Sequence, residues 1–280
     1  MSSPRRPSIR PSIRSSPRAF SLLPARFADR RHEIILRGLA RAGWQIAEGG
    51  GHPRDGRDLL VTWTVQRGAK EDAARAFEAE GGQVVVCEEA YLRQVRGERA
   101  FALALHDHNG AGRWPVGGPE RWESFGIRLE PWRQAGSHIL VAEQRGIGSR
   151  RMASPPLWHD DVTARLKRMT RRPILFRAHP KSRLYPRLAQ TQAPLDEALA
   201  GAHAVVTWAG SIAVQALIAG VPVCFEAPEI VCAGACARGI AGIESPARPD
   251  RLPALERLAW AQWRVSEIES GAAFRWLLDA

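Results

Sequence analysis

The alternation of short apolar runs with helical patterns is the feature that most constrains the fold of this sequence. Residues 204–223 (AVVTWAGSIAVQALIAGVPV) show it clearly: a β-branched run stops at Trp208, a turn of small residues follows, and a helical pattern ends at Gly220 before another apolar run. Strand, tight turn, helix and strand in succession form a βαβ unit. Units of this kind build parallel sheets that helices cover on both faces.

The same alternation runs through the chain in two cycles, which separate near residues 130–136. A chain of 280 residues, 45% of them hydrophobic, is long enough to bury a sizeable core. We therefore predict an α/β fold with two doubly wound Rossmann-like domains that face each other across a cleft. The predicted parts are a disordered arm over residues 1–27, an N-terminal Rossmann-like domain over 28–133, and a C-terminal Rossmann-like domain with closing helices over 134–280.

Positive charge is concentrated at the N-terminus. The formal net charge is +11, and residues 1–28 hold six arginines and no acid. Pro, Ser and Arg dominate this stretch, which repeats "PSIR", and such a composition predicts a disordered arm. An arm of this kind suits binding to the phosphates of DNA or RNA. A solubilising tail has the same composition, so both interpretations stay open.

Apolar stretches and cysteines indicate the compartment. No segment approaches the roughly eighteen apolar residues of a membrane span, and no secretory signal is visible. We therefore predict a cytoplasmic protein of a bacterial or phage-infected cell, without membrane insertion. The four cysteines do not form a disulfide framework and are expected to be free thiols. Nothing in the sequence indicates the oligomeric state.

Two neighbouring segments predict a phosphate site. In "FRAHPKSR" a strand ends in Arg177, His179 and Lys181, which places several hydrogen-bond donors at its carboxyl end. One helix later, Gly210 allows close approach and Ser211 begins the next helix. A serine hydroxyl there caps the helix, while the free backbone N–H groups and the helix dipole attract a phosphate. An ordinary helix cap has the same sequence, so the turn alone does not establish a phosphate site.

Together, these segments resemble the nucleotide-binding half of GT-B glycosyltransferases. The likeness is to the capsule-polysaccharide and bacterial sialyltransferase-type enzymes with an HP motif and a Ser/Thr motif, and it covers residues 138–230. In those families the His and the Ser-led helix start bind the phosphate of the sugar nucleotide, which implies that role for His179 and Ser211. The segment "QALIAGVPV" matches the pattern EALxxGxPV, except that Gln215 replaces the usual Glu. The resemblance implies a UDP- or CMP-sugar donor.

Further contacts with the nucleotide-sugar donor are expected around the same sheet. In "EQRGIGSRR" (143–151), Gly146 and Gly148 form a turn next to Arg145, and this turn can approach a diphosphate from the opposite side. A solvated basic loop is an equally good interpretation. Glu226 is a candidate acceptor for hydrogen bonds from the ribose hydroxyls. No set of metal ligands is evident, so no metal is expected in the donor site.

A proton acceptor is expected on the other domain, because sugar transfer removes a proton from the acceptor hydroxyl. The segment "LHDHNG" (105–110) follows a predicted strand and places Asp107 between His106 and His108. A carboxylate in this position either acts as the base or orients a histidine that does. We favour Asp107 as the base and His108 as the second candidate. A surface turn with flanking histidines is the alternative.

Several tryptophans lie near predicted loops or strand ends. Aromatic side chains there can stack on a sugar or on an extruded nucleobase, although each one by itself is more typical of core packing. The set comprises Trp63, Trp114, Trp122, Trp132 and Trp158.

Three functions remain open on the sequence. The first is a nucleotide-sugar-dependent glycosyltransferase that modifies hydroxymethyl-pyrimidine DNA, as a phage enzyme would, with DNA bound by the arm and the cleft. The second keeps the transferase but makes the acceptor a capsule or lipid-linked saccharide. The third is a non-catalytic nucleic-acid-binding protein on a degenerate transferase fold. We favour the first because it also accounts for the basic charge.

Overall fold

The computed structural model describes residues 16–23, 30–183 and 193–279. It is an α/β structure with two mainly parallel sheets covered by helices, which confirms the predicted fold class. The first elements along the chain are β1 (Arg18–Ser21), α1 (Arg31–Arg41), β2 (Gln45–Glu48), β3 (Leu59–Trp63), α2 (Ala69–Ala79), β4 (Gln83–Val95), β5 (Glu98–Leu105) and α3 (Glu120–Phe125).

The later elements continue the alternation. They are β6 (His138–Ala142), α4 (Trp158–Met169), β7 (Ile174–Arg177), α5 (Leu195–Ala200), β8 (Ala202–Thr207), α6 (Ile212–Ile218), β9 (Val223–Phe225), β10 (Ala237–Arg238), α7 (Leu252–Ala259), β11 (Gln262–Arg264), α8 (Val265–Glu269) and α9 (Ala272–Leu278). Short 3₁₀ turns occur at Asn109–Ala111 and Ala233–Ala235. Among the helices described here, none has the length and apolar character to cross a membrane.

Both sheets have a doubly wound strand order. The first sheet runs β11-β5-β4-β3-β1-β2, with β1 to β4 parallel and with β5 and β11 antiparallel to their neighbours. The second runs β10-β9-β8-β6-β7 and is wholly parallel. In the second sheet the chain reverses its direction of winding between β6 and β8. Ligands of such sheets bind beyond the carboxyl ends of the strands at this point.

The prediction of a disordered arm over residues 1–27 is wrong for Arg18–Ser21. This segment is β1, which lies between β2 and β3, and Ala19 is fully buried. The guanidinium of Arg18 forms a 2.8 Å ion pair with the buried carboxylate of Asp58. The strand escaped prediction because it has only four residues and an arginine-rich sequence surrounds it. Residues 1–15 and 24–27 of the predicted arm lie outside the described residues.

The C-terminal residues also differ from the prediction. We expected closing helices on the second domain, but β11 interrupts them and pairs with β5 of the first sheet. The next helix, α8, packs against α1, where a side chain at Gly38 would overlap the backbone of Ile268. The first and last strands of the described residues, β1 and β11, therefore both belong to the first sheet.

The chain crosses between the two sheets twice, before β6 and after β10. These two crossing segments lie side by side and are joined by hydrogen bonds. The Trp132 Nε1–H group donates to the Pro249 carbonyl oxygen at 3.2 Å, and the Arg248 Nε–H group donates to the Arg133 carbonyl oxygen at 2.9 Å. The two crossing segments are therefore bound to each other.

A single apolar core joins the two sheets. The largest cluster of buried side chains includes Phe101 and Leu103 of β5 together with Leu140 of β6, Val205 of β8 and Leu217 of α6. Helix α6 also contacts β4. This packing holds the two sheets together beside the space between them, where the site lies.

Candidate functional site

A small cavity of about 40 Å³ lies where the second sheet faces the loop after β5. It is at the carboxyl ends of β6 and β8, the position expected for a ligand of a doubly wound sheet. Loops that follow β5, β6 and β8 therefore meet at one place. Its lining, in the part of the chain that the structure describes, is His108, Asn109, Gln144, Gly146, Ile147, Met152, Ser154, Trp208 and Ala209.

Asn109 connects the three loops. Its φ angle of 55° is in the left-handed region, which Asn tolerates better than most residues. The side-chain amide donates to the carbonyl oxygen of Ala209 beyond β8. The amide oxygen accepts the backbone N–H groups of Gly110 at 2.9 Å and Val231 at 3.0 Å. The first-sheet loop is therefore tied to two loops of the second sheet.

The predicted acid and imidazole lie together in this loop. His108 is 8% exposed and lines the cavity, whereas Asp107 is 5% exposed and is not among the lining residues. The His108 Nδ1 atom is 3.0 Å from Asp107 Oδ1, an ion-pair distance, although the direction departs from that of a well-formed hydrogen bond. Asp107 also accepts a 3.0 Å hydrogen bond from Arg75. The structure thus places the histidine toward the cavity and the carboxylate behind it.

Nearby negative charges counteract the effect of burial on the pKa of His108. Burial alone would lower the pKa of His108, but the contact with Asp107 and the negative charge of Glu88 raise it above its ordinary value. For Asp107 the effect of burial has the opposite sign, because burial alone would raise the pKa of a carboxyl group. The interactions with His108 and Ser149 nevertheless lower the pKa of Asp107 overall. An ionised Asp107 beside a buried imidazole is the arrangement that orients a catalytic histidine.

The third residue predicted in this loop lies elsewhere. His106 Nδ1 is 2.6 Å from the carboxylate of Glu78 on α2, and its carbonyl oxygen accepts a hydrogen bond from Arg75. Its φ angle of 71° turns the chain away from the strand direction. His106 is not among the lining residues.

The glycine turn after β6 faces the first sheet. The φ angles of Gly146 (64°) and Gly148 (146°) are both positive. The carbonyl oxygen of Gly148 accepts the Arg67 N–H group at 2.8 Å, and a Cβ at Gly146 would lie 3.8 Å from the Arg67 guanidinium. Partial burial lowers the pKa of Arg145, and the positive charge of Arg183 acts in the same direction. Positive charge from both sheets therefore collects around this turn.

Arg150 connects this turn to α2. Its backbone N–H group donates to both carboxylate oxygens of Glu71, at 2.9 and 3.1 Å, and its guanidinium contacts Asp72 at 2.7 Å. These contacts join the two sheets on the side of the cavity opposite Asn109.

The His-Pro loop is held by a residue that the sequence analysis missed. Glu143 is 4% exposed at the end of β6, and its carboxylate accepts the His179 N–H group at 2.7 Å and the Ser182 hydroxyl at 2.8 Å. The Nδ1 atom of His179 accepts the Lys181 N–H group at 2.9 Å, so the proton of the neutral ring is on Nε2. An acid directly after a buried strand was the available signal. His179 and Lys181 are not among the cavity-lining residues.

The expected cap by Ser211 is wrong. Ser211 already has helical dihedral angles (φ −60°, ψ −16°), so its exposed side chain makes no cap hydrogen bond. Thr207 holds the turn instead, because its hydroxyl oxygen accepts hydrogen bonds from Gly210 N–H at 3.1 Å and from the Gln144 amide at 3.0 Å. A Cβ at Gly210 would lie 2.8 Å from the Gln144 amide nitrogen, which explains the glycine.

Two other residues that were predicted to contact the nucleotide-sugar donor form hydrogen bonds within the protein. The Glu226 carboxylate accepts hydrogen bonds from Arg165 at 2.7 Å and from the Trp158 indole at 2.8 Å. Burial would raise the pKa of Glu226, but these two partners lower it. Arg177 donates to the carbonyl oxygen of Ala193 at 2.8 Å. Both side chains are therefore already hydrogen-bonded within the protein.

The five predicted tryptophans do not line the cavity. Trp114, Trp122 and Trp158 are buried, and Trp63 and Trp132 pack against the core. Trp208 lines the cavity instead, and its indole donates to the Met152 carbonyl oxygen at 2.8 Å. Within the described residues, no three His, Cys, Asp or Glu side chains are placed to hold a metal ion.

Comparisons with known proteins identify the fold only. No family model matches this sequence, and no curated protein matches it. A solved structure from Thermosulfurimonas dismutans, the KpsC beta Kdo 2,4 transferase, is similar with a TM-score of 0.55 and 12% identity over 88% of this chain and 92% of that one. The KpsC beta Kdo 2,7 transferase of that organism is similar with a TM-score of 0.50 and 12% identity, over 92% of this chain and 99% of the other. The chain therefore shares the fold of these structures along most of its length.

Proposed function

We propose that this protein is a glycosyltransferase that moves a sugar from a nucleotide-sugar donor to a saccharide acceptor. The observation that carries the proposal is that His108 and its partner Asp107, from the first sheet, meet the ends of β6 and β8 of the second sheet at one cavity. The shared fold with two Kdo transferases supports it. Those neighbours make CMP-Kdo the first donor to test.

In the proposed reaction, the acceptor hydroxyl loses its proton to His108. Its oxygen bonds to the anomeric carbon of the donor sugar while the bond from that carbon to the donor phosphate breaks. Asp107 keeps the imidazole oriented and stabilises its positive charge after proton transfer. Positive side chains that face the departing phosphate stabilise the charge it develops.

The nucleotide itself lies outside the small cavity in this proposal. A volume of about 40 Å³ has room for a few water molecules, whereas ligand sites usually measure about 300–1,000 Å³. We place the donor phosphate over the ends of β6 and β7, near Arg145, His179 and Lys181, with Gly146, Gly148, Gly210 and Ser211 at its edge. Glu226 is left out because Arg165 and Trp158 hold its carboxylate.

A saccharide acceptor is preferred over DNA. Of the six arginines in residues 1–28, Arg18 is part of β1 and pairs with Asp58, and the others lie outside the described residues. The fold neighbours are saccharide-directed enzymes by name. The net charge of +11 keeps hydroxymethyl-pyrimidine DNA as the second candidate acceptor. Steep weakening of duplex binding with added salt would support DNA.

The test is transfer in solution. The protein is incubated with CMP-Kdo or a panel of UDP- and CMP-sugars, together with Kdo-terminated oligosaccharide or hydroxymethylated DNA, and products are measured by mass spectrometry. We expect nucleotide release coupled to a Kdo-sized gain on the saccharide, and its loss in His108→Ala. Asp279→Asn, an exposed carboxylate near the C-terminus, is the control.

Absence of transfer from every donor would refute the proposal. The non-catalytic alternative gains support if His179→Ala and Asp107→Ala leave nucleic-acid binding unchanged.

A further inference from the structure

A second cavity, of about 450 Å³, lies between α7 and the loop that follows β9. Its volume falls in the range of about 300–1,000 Å³ that is typical of small-molecule sites. The first cavity, in contrast, is far too small for a sugar. Of these two cavities, the second has room for a substrate.

Consecutive residues of one loop line the two cavities. Asn109 lines the first cavity, and the next residue, Gly110, lines the second. The Asn109 amide oxygen accepts the N–H group of Val231, which also lines the second cavity. A Cβ at Gly110 would overlap the backbone of Ile230, so only glycine permits this close contact. The second cavity therefore adjoins the loop that carries His108.

The lining combines two arginines, two carboxylates and an apolar surface, and one of the carboxylates, Glu229, is already paired with Arg151. The Arg257 guanidinium stacks over the Trp114 ring at 4.3 Å, and within the described residues it has no carboxylate partner. Arg238, the other lining arginine, is already engaged, because it donates to the carbonyl oxygens of Ala227 and Pro228. Arg257 is therefore the cation available to a ligand.

The other carboxylate and the apolar residues complete the recognition surface. One oxygen of Asp250 accepts the Leu252 N–H group at 3.0 Å, and its second oxygen has no hydrogen-bond partner among the described residues. Val231 and Ala254 give the cavity an apolar surface. A guanidinium binds a carboxylate through paired hydrogen bonds, a carboxylate oxygen accepts from a hydroxyl, and an apolar surface suits the C–H face of a sugar ring.

We propose that this second cavity binds an acidic saccharide, with its carboxylate on Arg257 and a hydroxyl on Asp250, and that this saccharide is the acceptor of the transfer. Only the acceptor role rests on the proposed function. Binding of the saccharide alone depends on the cavity and not on catalysis.

The test is calorimetric titration of the full chain, without donor, with the methyl glycoside of Kdo and with methyl mannoside as the neutral comparison. We expect the acidic glycoside to bind more tightly. Arg257→Gln keeps the side-chain stem over Trp114 but removes the charge. We expect this variant to bind the acidic glycoside about tenfold to a hundredfold more weakly than the wild type does. Arg168→Gln, an exposed arginine of α4, is the matched control and should bind as the wild type does.

A second variant tests whether the glycoside occupies the volume of the second cavity. Ala254→Phe fills the cavity and should weaken both glycosides, whereas Leu252→Phe, an exposed residue of the same helix, should not. Thermal melting confirms that each variant is folded. Equal affinity for the two glycosides, or unchanged affinity in Arg257→Gln and Ala254→Phe, would overturn the proposal.

Transfer assays separate this inference from the proposed function. If both variants weaken saccharide binding and no donor supports transfer, the cavity assignment stands and the glycosyltransferase proposal fails. If transfer occurs with an acceptor KM that both variants leave unchanged, the enzyme proposal stands and the cavity assignment is wrong.

Discussion

Replacement of Asp107 by Asn should lower the pKa of His108. Asp107 Oδ1 is 3.0 Å from the imidazole Nδ1, and both side chains are buried, so solvent screens their attraction poorly. An opposite charge within about 4–6 Å shifts a pKa by roughly one to three units. Because Glu88 remains as a second negative charge, the pKa of His108 should fall only part of the way, and we expect loss of the charged contact to destabilise the imidazolium by about 1–3 kcal/mol.

The direction of this shift fixes the expected pH dependence. The pKa of His108 is raised in the folded protein, so its stabilising contribution is complete below the unfolded value of about 6.5 and is lost as the pH rises through the folded pKa. A base acts in its deprotonated form, so kcat/KM should rise through the same folded pKa. Asp107→Asn should move both transitions to lower pH.

Proton NMR can follow this titration directly. The protein has eight histidines, and the signal that disappears in His108→Gln identifies the relevant one. Asp279→Asn should leave its titration unchanged. A His108 pKa that stays constant or rises in Asp107→Asn would refute the assignment of Asp107 as the partner that stabilises the imidazolium.

Three further outcomes test the fold around the site. Gly110→Ala should lower the free energy of unfolding by about 1–3 kcal/mol, since the new Cβ overlaps the Ile230 backbone, whereas Gly234→Ala, which has space, should be nearly neutral in thermal melting. Asp58→Asn should cost about 1–3 kcal/mol near neutral pH in urea titrations. The pKa of Asp58 is lowered in the folded protein, so that difference should shrink only below about pH 3.9, and a constant difference would contradict the ion pair. Burial raises the pKa of Cys224 to about 11, so iodoacetamide near neutral pH should alkylate it only after unfolding, and rapid native labelling would argue against the packed core.

The parallel strands and their helices could be predicted because their pattern is local. β8 shows this, since its six residues are all buried and an apolar run, Ala204 to Val206, lies at its centre. β1 and β11 were missed because they have four and three residues, and their strand state depends on neighbours far along the chain. Short segments take their conformation from tertiary pairing more than from propensity.

The site was predictable to a similar extent. His108 could be singled out as a candidate because it follows a recognisable strand, but its position in front of Asp107 depends on packing that no local pattern records. Asn109 acts through contacts with residues about one hundred positions away. The cap by Ser211 failed because the backbone dihedral angles, rather than the residue type, decide whether a serine can cap a helix.

The paired crossings between the sheets restrict how the protein can open. Two units joined by one linker can rotate about many axes, but here the chain passes between the sheets twice. The crossings are hydrogen-bonded side by side, through Trp132 to Pro249 and Arg248 to Arg133. Any widening of the space beside His108 must therefore bend both crossing segments together.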